Sequence, residues 1–445
     1  MSTQVTDFIH EANWGDLPVP IQNQARRCLL DTLGAAVAGR KTRLSQIIHD
    51  YSASVHAGTG AQLWLDGRDV SPPGAALANG MTIDALDIHD GYTLTKGHAG
   101  AALIPASLST VALGGPISGQ DFLAALVVGY EVALRAGLAL HATACDYHTS
   151  GAWNALGCAA IIARRLGLGA DHTRHALGVA EYHGPRSQMM RCIDHPTMLK
   201  DGSGWGAMTG VSAAILAGDG FTGAPALTVD AVEVADFWTD LGDRWLIAEQ
   251  YFKPYAICRW AQPAIAGALN LRKQYEFDPE TVRSIRVTTF HEAVRLANPL
   301  PQTTEEAQYS LPFPVATALV HRQLGPAELS GQGLHHPLVL QLAQRVELVE
   351  DPAHSARFPE ERFAQVQIEL EDGKILNSGE VEATWGVEDP PSDKALREKF
   401  RWLARTCLSK ERVKELEMTI WQVADLSDVN ALCQLLGHPL EKMDQ

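Results

Sequence analysis

The densest run of titratable side chains in the sequence is Asp87-Ile-His89-Asp90-Gly-Tyr92-Thr93-Leu-Thr95-Lys96-Gly-His98. Two acids, two imidazoles, a phenol and an ammonium so close together can hold an anion and move protons near neutral pH. His98 opens the apolar run that reaches Pro105, which places it at a helix N-terminus. The helix dipole there disfavours the imidazolium and leaves a neutral base. The bland alternative is a solvated loop with a capping Asp, and the density of ionisable groups weighs against it. Asp87, His89 and Asp90 offer metal-ligand atoms, but their spacing is diagnostic of no metal, and no metal is expected.

Three other segments carry candidates. Asp146-Tyr147-His148-Thr149-Ser150-Gly151 stands just before the helical run at Trp153. Tyr147 and His148 are candidates for proton transfer, and Thr149 or Ser150 can cap a helix whose free N–H groups would receive a carboxylate. A histidine before a helix is more often structural. Lys200 lies at a glycine-flanked helix entry, where it can bind a carboxylate; the plain alternative is a surface lysine. Lys253-Pro-Tyr255-Ala-Ile-Cys258-Arg259 adds two cations and a thiol, or is only a linker. No GxGxxG follows a strand, and neither GxxxxGK[ST] nor GxSxG occurs, so dinucleotide, P-loop and serine-hydrolase readings lack support.

The elements that must position these groups are mostly helical. Pro18 and Pro20 introduce a helix over Ile21–Ala38, stopped at Gly39. Ser118 with Asp121 caps a helix through Phe122, Leu126, Tyr130 and Leu134. Trp153–Leu166 and Gly206–Ala217 are Ala-rich helices whose small residues allow close packing. After about residue 275 the pattern changes. Ser284–Phe290 and Val366–Leu370 alternate as strands, and Asp372-Gly373 turns into Lys374–Leu376. Pro314–Arg322 and Pro337–Arg345 read as short helices between them. Ser392 caps a returning helix with Leu396, Phe400 and Leu403, and a last one is expected from Val423 to Leu436. The expected fold is mainly α: a large, discontinuous helical domain (1–265 and 392–445) with a smaller α+β lid domain (266–391).

Composition limits the function classes. The chain has 445 residues, enough for two or three domains, with 46% hydrophobic and 20% charged residues. Its net charge of −16 argues against nucleic acid, whose phosphates need basic surface. No stretch reads as about 18 or more unbroken apolar residues, so no membrane partner is expected. No basic start followed by an apolar run is present, and the seven cysteines are scattered without CxxC spacing. A cytoplasmic location is the expectation.

Taken in chain order, these segments resemble the MmgE/PrpD family. The matching pieces are Leu29-Leu-Asp-Thr-Leu-Gly34 with Ala38-Gly39, the loop Asp87-Ile-His-Asp90 to His98, and Tyr147-His148-Thr-Ser-Gly. They continue with Met198-Leu-Lys200, Lys253-Pro-Tyr255, Ser310-Leu-Pro-Phe313, Phe358-Pro with Asp372-Gly373, and the Lys399-Phe400 helix. The resemblance implies a homodimer, no cofactor and a small di- or tricarboxylate substrate. It implies dehydration, decarboxylation or epimerisation beside a carboxylate, and it matches Asp87, His98, His148, Lys200 and Lys253 to active-site positions. Four positions depart from the family pattern. His89 replaces an inner Asp, Gly91 stands where Thr is usual, and Cys258 and Phe313 replace a His and a polar aromatic of the decarboxylase branch. A site with fewer hydroxyls and imidazoles suits the smaller chemical demand of epimerisation.

The expected mechanism is cofactor-free proton abstraction α to a carboxylate. Lys200, Lys253 and Arg259 would hold carboxylates, with His89, Asp90 and Cys258 around the substrate. His98, His148 or Tyr147 would serve as base, with Asp87 beside it. Iminodisuccinate epimerisation is the favoured reaction, with 2-methylcitrate-type dehydration or cis-aconitate-type decarboxylation as the alternative. A non-catalytic carboxylate binder is the reading from another class; it would lose affinity mainly with Lys200, whereas an enzyme would lose turnover with both Lys200 and His98.

Overall fold

The computed structural model describes residues 2–440; residues 441–445, the end of the expected 392–445 segment, lie outside it. The chain is mainly α with a smaller α+β region. Val19–Gly39 starts where proline fixes φ and runs through a buried face from Ile21 to Gly39. Pro72–Asp84, Gly100–Ser109, Gly119–Thr143, Gly151–Arg165 and Ser203–Gly218 pack on one another. Glycine sets their spacing. A Cβ on Gly80 would lie 2.7 Å from the Gly204 Cα, and one on Gly210 would lie 2.5 Å from the Ala155 carbonyl. These helices touch backbone to backbone, so a methyl group has no room. The close approach brings the end of Pro72–Asp84 beside the start of Ser203–Gly218, where Ser203 N–H donates to Asp84 Oδ2 at 3.3 Å.

Gly119–Thr143 is long and apolar enough by composition to cross a membrane, which corrects the expectation that no stretch qualifies. Counting unbroken apolar residues missed it, because Glu131 and Arg135 interrupt the run. These two sit 3.4 Å apart in the interior, and Glu131 also accepts from the Leu246 and Ile247 N–H groups. The helix is a buried core helix.

The α+β region holds a four-stranded sheet in the order Val346–Glu350, Val282–Thr289, Phe363–Leu370, Ile375–Glu382. The first pair is parallel, with Ile285 opposite Val346; the other two are antiparallel. The hairpin expected at Asp372-Gly373 forms, with Gly373 at φ 84°. Helix Gln262–Gln274 covers one face. Val346–Glu350 was not anticipated: as a charged edge strand, Val-Glu-Leu-Val-Glu shows little of the burial pattern that marks a strand.

Ser392 caps Asp393–Ala404, which packs on Val19–Gly39. Lys399 crosses that contact: its Nζ donates to Asp31 Oδ1 and to the Ile88 carbonyl, each at 2.6 Å. The expected final helix over 423–436 is instead a short 3-10 turn, Val423–Asp425, followed by Asn430–Gly437, and Lys410–Trp421 is an additional helix before them. The Asp428 side chain, one residue before the N-cap Val429, accepts from the first helical N–H, that of Asn430.

Candidate active site

The Asp87–His98 loop leaves the helix Pro72–Asp84 and folds back on itself. Its Gly91-Tyr92 pair forms a two-residue antiparallel ladder with Gln250-Tyr251. That ladder carries Lys253 beneath Asp87. Lys253 is 0% exposed, and its Nζ donates to Asp87 Oδ1 at 2.6 Å and to the Asp87 carbonyl at 3.0 Å. Asp87 itself sits at φ 48°, a left-handed conformation that a non-glycine residue adopts only when its surroundings impose it. Burial raises its carboxyl, but the Lys253 ammonium and the other basic groups around it, Lys200 among them, together outweigh this and hold it at about 2. For Lys253 burial is likewise opposed by Asp87, and the ammonium is stabilised.

His98 completes the cluster. Its Nδ1 lies 2.6 Å from the Asp90 carbonyl, which can only accept, so Nδ1 carries the proton and donates. Nε2 is left with its lone pair, 3.4 Å from Lys253 Nζ and 3.6 Å from Asp87 Oδ1. Burial, then the Lys253 charge, pushes the ring's pKa well below the usual histidine range. The approach to Asp87 is therefore not an ion pair: the ring is a neutral base beside a cation. Ser150 Oγ fixes the backbone by accepting from His98 N–H at 2.9 Å, and Asn154 Nδ2 donates to the His98 carbonyl at 2.9 Å.

Asp87, His89 and Asp90 do not converge as ligands. His89 Nε2 pairs with Asp84 Oδ1 at 3.1 Å, and its ring meets that of His98 edge-on at 4.6 Å. Asp90 accepts from Tyr130 at 2.8 Å and Thr32 at 3.3 Å. Burial and the nearby Asp31 raise its carboxyl to about 6. Both side chains are bonded to protein groups of neighbouring helices. Thr149 and Ser150 do not cap Gly151–Arg165 through their side chains either. The Ser150 hydroxyl donates to Asp201 Oδ2 at 2.6 Å, and burial with the Asp84 charge lifts Asp201 to about 7.

Lys200 is buried, not a surface lysine, and sits at φ 50°. Its Nζ donates to Gln308 Oε1 and lies 4.8 Å over the Tyr309 ring. Cys258 is buried nearby, its thiol pushed up to about 12 by burial and the Asp87 charge. Arg259 departs from expectation. Its guanidinium donates to the carbonyls of Phe252, Ala383 and Thr384 and to Gln262, so it clamps backbone and has little left for a carboxylate. Tyr147 packs on Trp260 with its hydroxyl 3.2 Å from Met190 Sδ, and burial raises it well above the ordinary tyrosine range. His148 stands apart: its backbone N–H donates to His141 Nε2 at 3.1 Å, and no contact among the described residues joins it to His98, Asp87 or Lys253.

Sequence reasoning missed Tyr251, Tyr309, Gln308 and Arg362. It took Gly91 as a lost hydroxyl. A Cβ on Gly91 would lie 2.5 Å from the Tyr251 hydroxyl and 2.7 Å from His98 Nδ1, so the glycine admits a phenol where a threonine side chain would otherwise stand. The pairing of Gly91 with Tyr251 depends on a ladder between residues far apart in sequence, which no local signal reveals. One cavity of about 350 Å³ is lined by Thr149, Arg191, His195 and Lys200; a second, about 560 Å³, is lined by Tyr251, Arg259 and Arg362. The Asp87–His98–Lys253 cluster is buried in the protein.

The MmgE/PrpD N-terminal domain model matches residues 3–240, and the MmgE/PrpD C-terminal domain model matches residues 255–423. The cis-aconitate decarboxylase of Homo sapiens is 26% identical over 462 residues, covering 97% of this chain and 93% of the relative. The cis-aconitate decarboxylase of Aspergillus terreus is 24% identical over 475 residues, covering 96% and 94%. The mitochondrial 2-methylcitrate dehydratase of Yarrowia lipolytica is 23% identical over 418 residues, covering 85% and 78%. These relatives are lyases, so the comparisons favour the alternative reading over epimerisation. The two domain models span most of the chain, and the chain is an enzyme that belongs to the MmgE/PrpD family.

Proposed function

We propose that this enzyme is a lyase acting on a small tricarboxylate, with decarboxylation of a cis-aconitate-type acid as its reaction. The carrying observation is the neutral His98 with its Nε2 lone pair 3.4 Å from the Lys253 ammonium. In such a decarboxylation the bond from carbon to the departing carboxylate breaks and carbon dioxide leaves. The electron pair shifts through the adjoining double bond, and a new C–H bond forms at its far carbon. That carbon needs one proton. The Lys253–His98 couple supplies it: a substrate of high negative charge raises the proton affinity of the ring, Lys253 passes a proton to Nε2, and Nε2 delivers it. Water then restores the couple. Lys200, with Gln308 as its side-chain acceptor, steers a substrate carboxylate.

Dehydration of a 2-methylcitrate-type acid is the second reading, favoured by the same unprotonated Nε2. There it removes the proton next to a carboxylate, and the departing hydroxide takes that proton back from the ring to leave as water, which restores neutral Nε2.

The test is incubation with cis-aconitate, 2-methylcitrate and iminodisuccinate in D2O, followed by NMR and by capture of carbon dioxide. Carbon dioxide from cis-aconitate, with one solvent deuteron fixed in the product, is the expected result. Water loss from 2-methylcitrate alone would select the second reading. Turnover of iminodisuccinate alone, with neither tricarboxylate consumed, would overturn the lyase proposal.

A further inference from the structure

Beside the His98–Lys253 cluster, a buried Arg362 Nε–H and the Tyr251 hydroxyl have no acceptor among the described residues. Tyr251 is 2% exposed, its ring lies edge-on to His98 at 6.4 Å, and its hydroxyl makes no hydrogen bond among the described residues. Arg362 is 4% exposed. One of its terminal nitrogens donates to the Thr93 carbonyl at 2.8 Å, while its Nε is buried without a partner. Buried donors in folded proteins are nearly always satisfied, so the orphaned Arg362 Nε, with the unpaired Tyr251 hydroxyl in the same cleft, points to a missing acceptor. The guanidinium carbon of Arg362 lies 5.9 Å from the centre of the Tyr251 ring, and both residues line the 560 Å³ cleft. The cleft is bounded by residues 92–94 and 244–259 on one side and 360–389 on the other.

Gly91 is the second observation. Its missing side chain leaves the Tyr251 hydroxyl room to stand against His98; a Cβ there would meet that oxygen at 2.5 Å. Arg259 supports the phenol from the other face, 4.6 Å over the ring, while its own donors are spent on backbone carbonyls. Among the acids of the cleft, Glu249 is bound by Arg244 at 2.8 Å and by Tyr92 at 3.2 Å. Glu360, Glu382, Glu388 and Asp389 also line it, and Glu382 lies close enough to Arg259 and Arg362 to feel their charges.

We propose that the Tyr251 hydroxyl and the Arg362 Nε–H together bind one carboxylate of the substrate at the edge of the His98–Lys253 cluster, with Gly91 as the residue that admits the phenol. The ligand class is a carboxylate: two donors of unlike geometry suit its two oxygens, and one guanidinium matches its single charge. The proposal rests on the reading of the substrate as a polycarboxylate and adds a subsite to it.

The probe is tricarballylate, a saturated tricarboxylate, titrated by calorimetry into the full-length protein and into Tyr251→Phe and Arg362→Lys. Tyr251→Phe removes a hydroxyl that makes no protein hydrogen bond, so its melting temperature should match wild type while its affinity falls about tenfold. Arg362→Lys keeps the charge but loses Nε–H, and its affinity should fall by a similar factor. With a turned-over substrate, KM should rise more than kcat falls. Affinity within twofold of wild type in both variants would overturn the subsite, as would no binding of tricarballylate by the wild type. If the wild type binds tricarballylate but converts no tricarboxylate, the lyase reading fails, and the two variant titrations still decide the subsite.

Discussion

At the scale of single residues, the central fact is a histidine kept neutral by its surroundings. Nδ1–H is tied to the Asp90 carbonyl and Nε2 faces Lys253. Burial and that cation both disfavour a second proton, so the ring titrates well below the usual value near 6.5. The ring therefore keeps its neutral resting form, with the transferable proton on Lys253, down to well below pH 6.5, and its titration puts no inflection between pH 6 and 7. The acid limb of kcat/KM should therefore lie well below pH 6.5, with activity flat through pH 6 to 7. A limb centred near 6.5, in profiles corrected for substrate ionisation, would contradict the assignment. Much of this was legible in the sequence, because ionisable groups gathered in a glycine-punctuated loop are visible as such. The roles of His89 and Asp90 were not, since their partners Asp84, Tyr130 and Thr32 come from other helices. Gly91 was misread for the same reason: its meaning lies in Tyr251.

At the scale of elements, the loop is held from below by the helix Asp393–Ala404. Lys399 binds Asp31 on Val19–Gly39 and the Ile88 carbonyl within the loop. Both charged groups are buried, so removing one leaves the other uncompensated. Lys399→Met should cost about 3–5 kcal/mol in denaturant unfolding, and adding Asp31→Asn should recover part of it. A loss under about 1 kcal/mol would show that the pair contributes little to joining these helices. The sequence showed the helices clearly through their proline starts, serine caps and small residues. Ser118 and Ser392 cap where expected, accepting from Asp121 and Ala395 N–H. It failed where burial patterns were weak, as in the edge strand Val346–Glu350, and where a 3-10 turn split the expected last helix.

At the scale of the whole molecule, two segments about 150 residues apart build one site. Asp87–His98 supplies acid and base, and Gln250–Arg259 supplies the cation and the phenol. The short ladder between them sets the register that places Lys253 under Asp87. Arg362 joins the α+β region to the same loop through the Thr93 carbonyl. The family scaffold was legible from the order of weak motifs along the chain. The choice among reactions was not: the apparent loss of hydroxyls that favoured epimerisation was offset by Tyr251 and Tyr309, supplied from distant segments and buried beside the cluster. The most direct test of the account is carbon dioxide release from cis-aconitate by the wild type and by His98→Gln, with folding of both checked by circular dichroism. The account predicts release by the wild type and a kcat lower by about 10²–10⁴ in the variant, the range expected for loss of a proton-transfer group. Equal rates in the two proteins, or no release by the wild type, would contradict it.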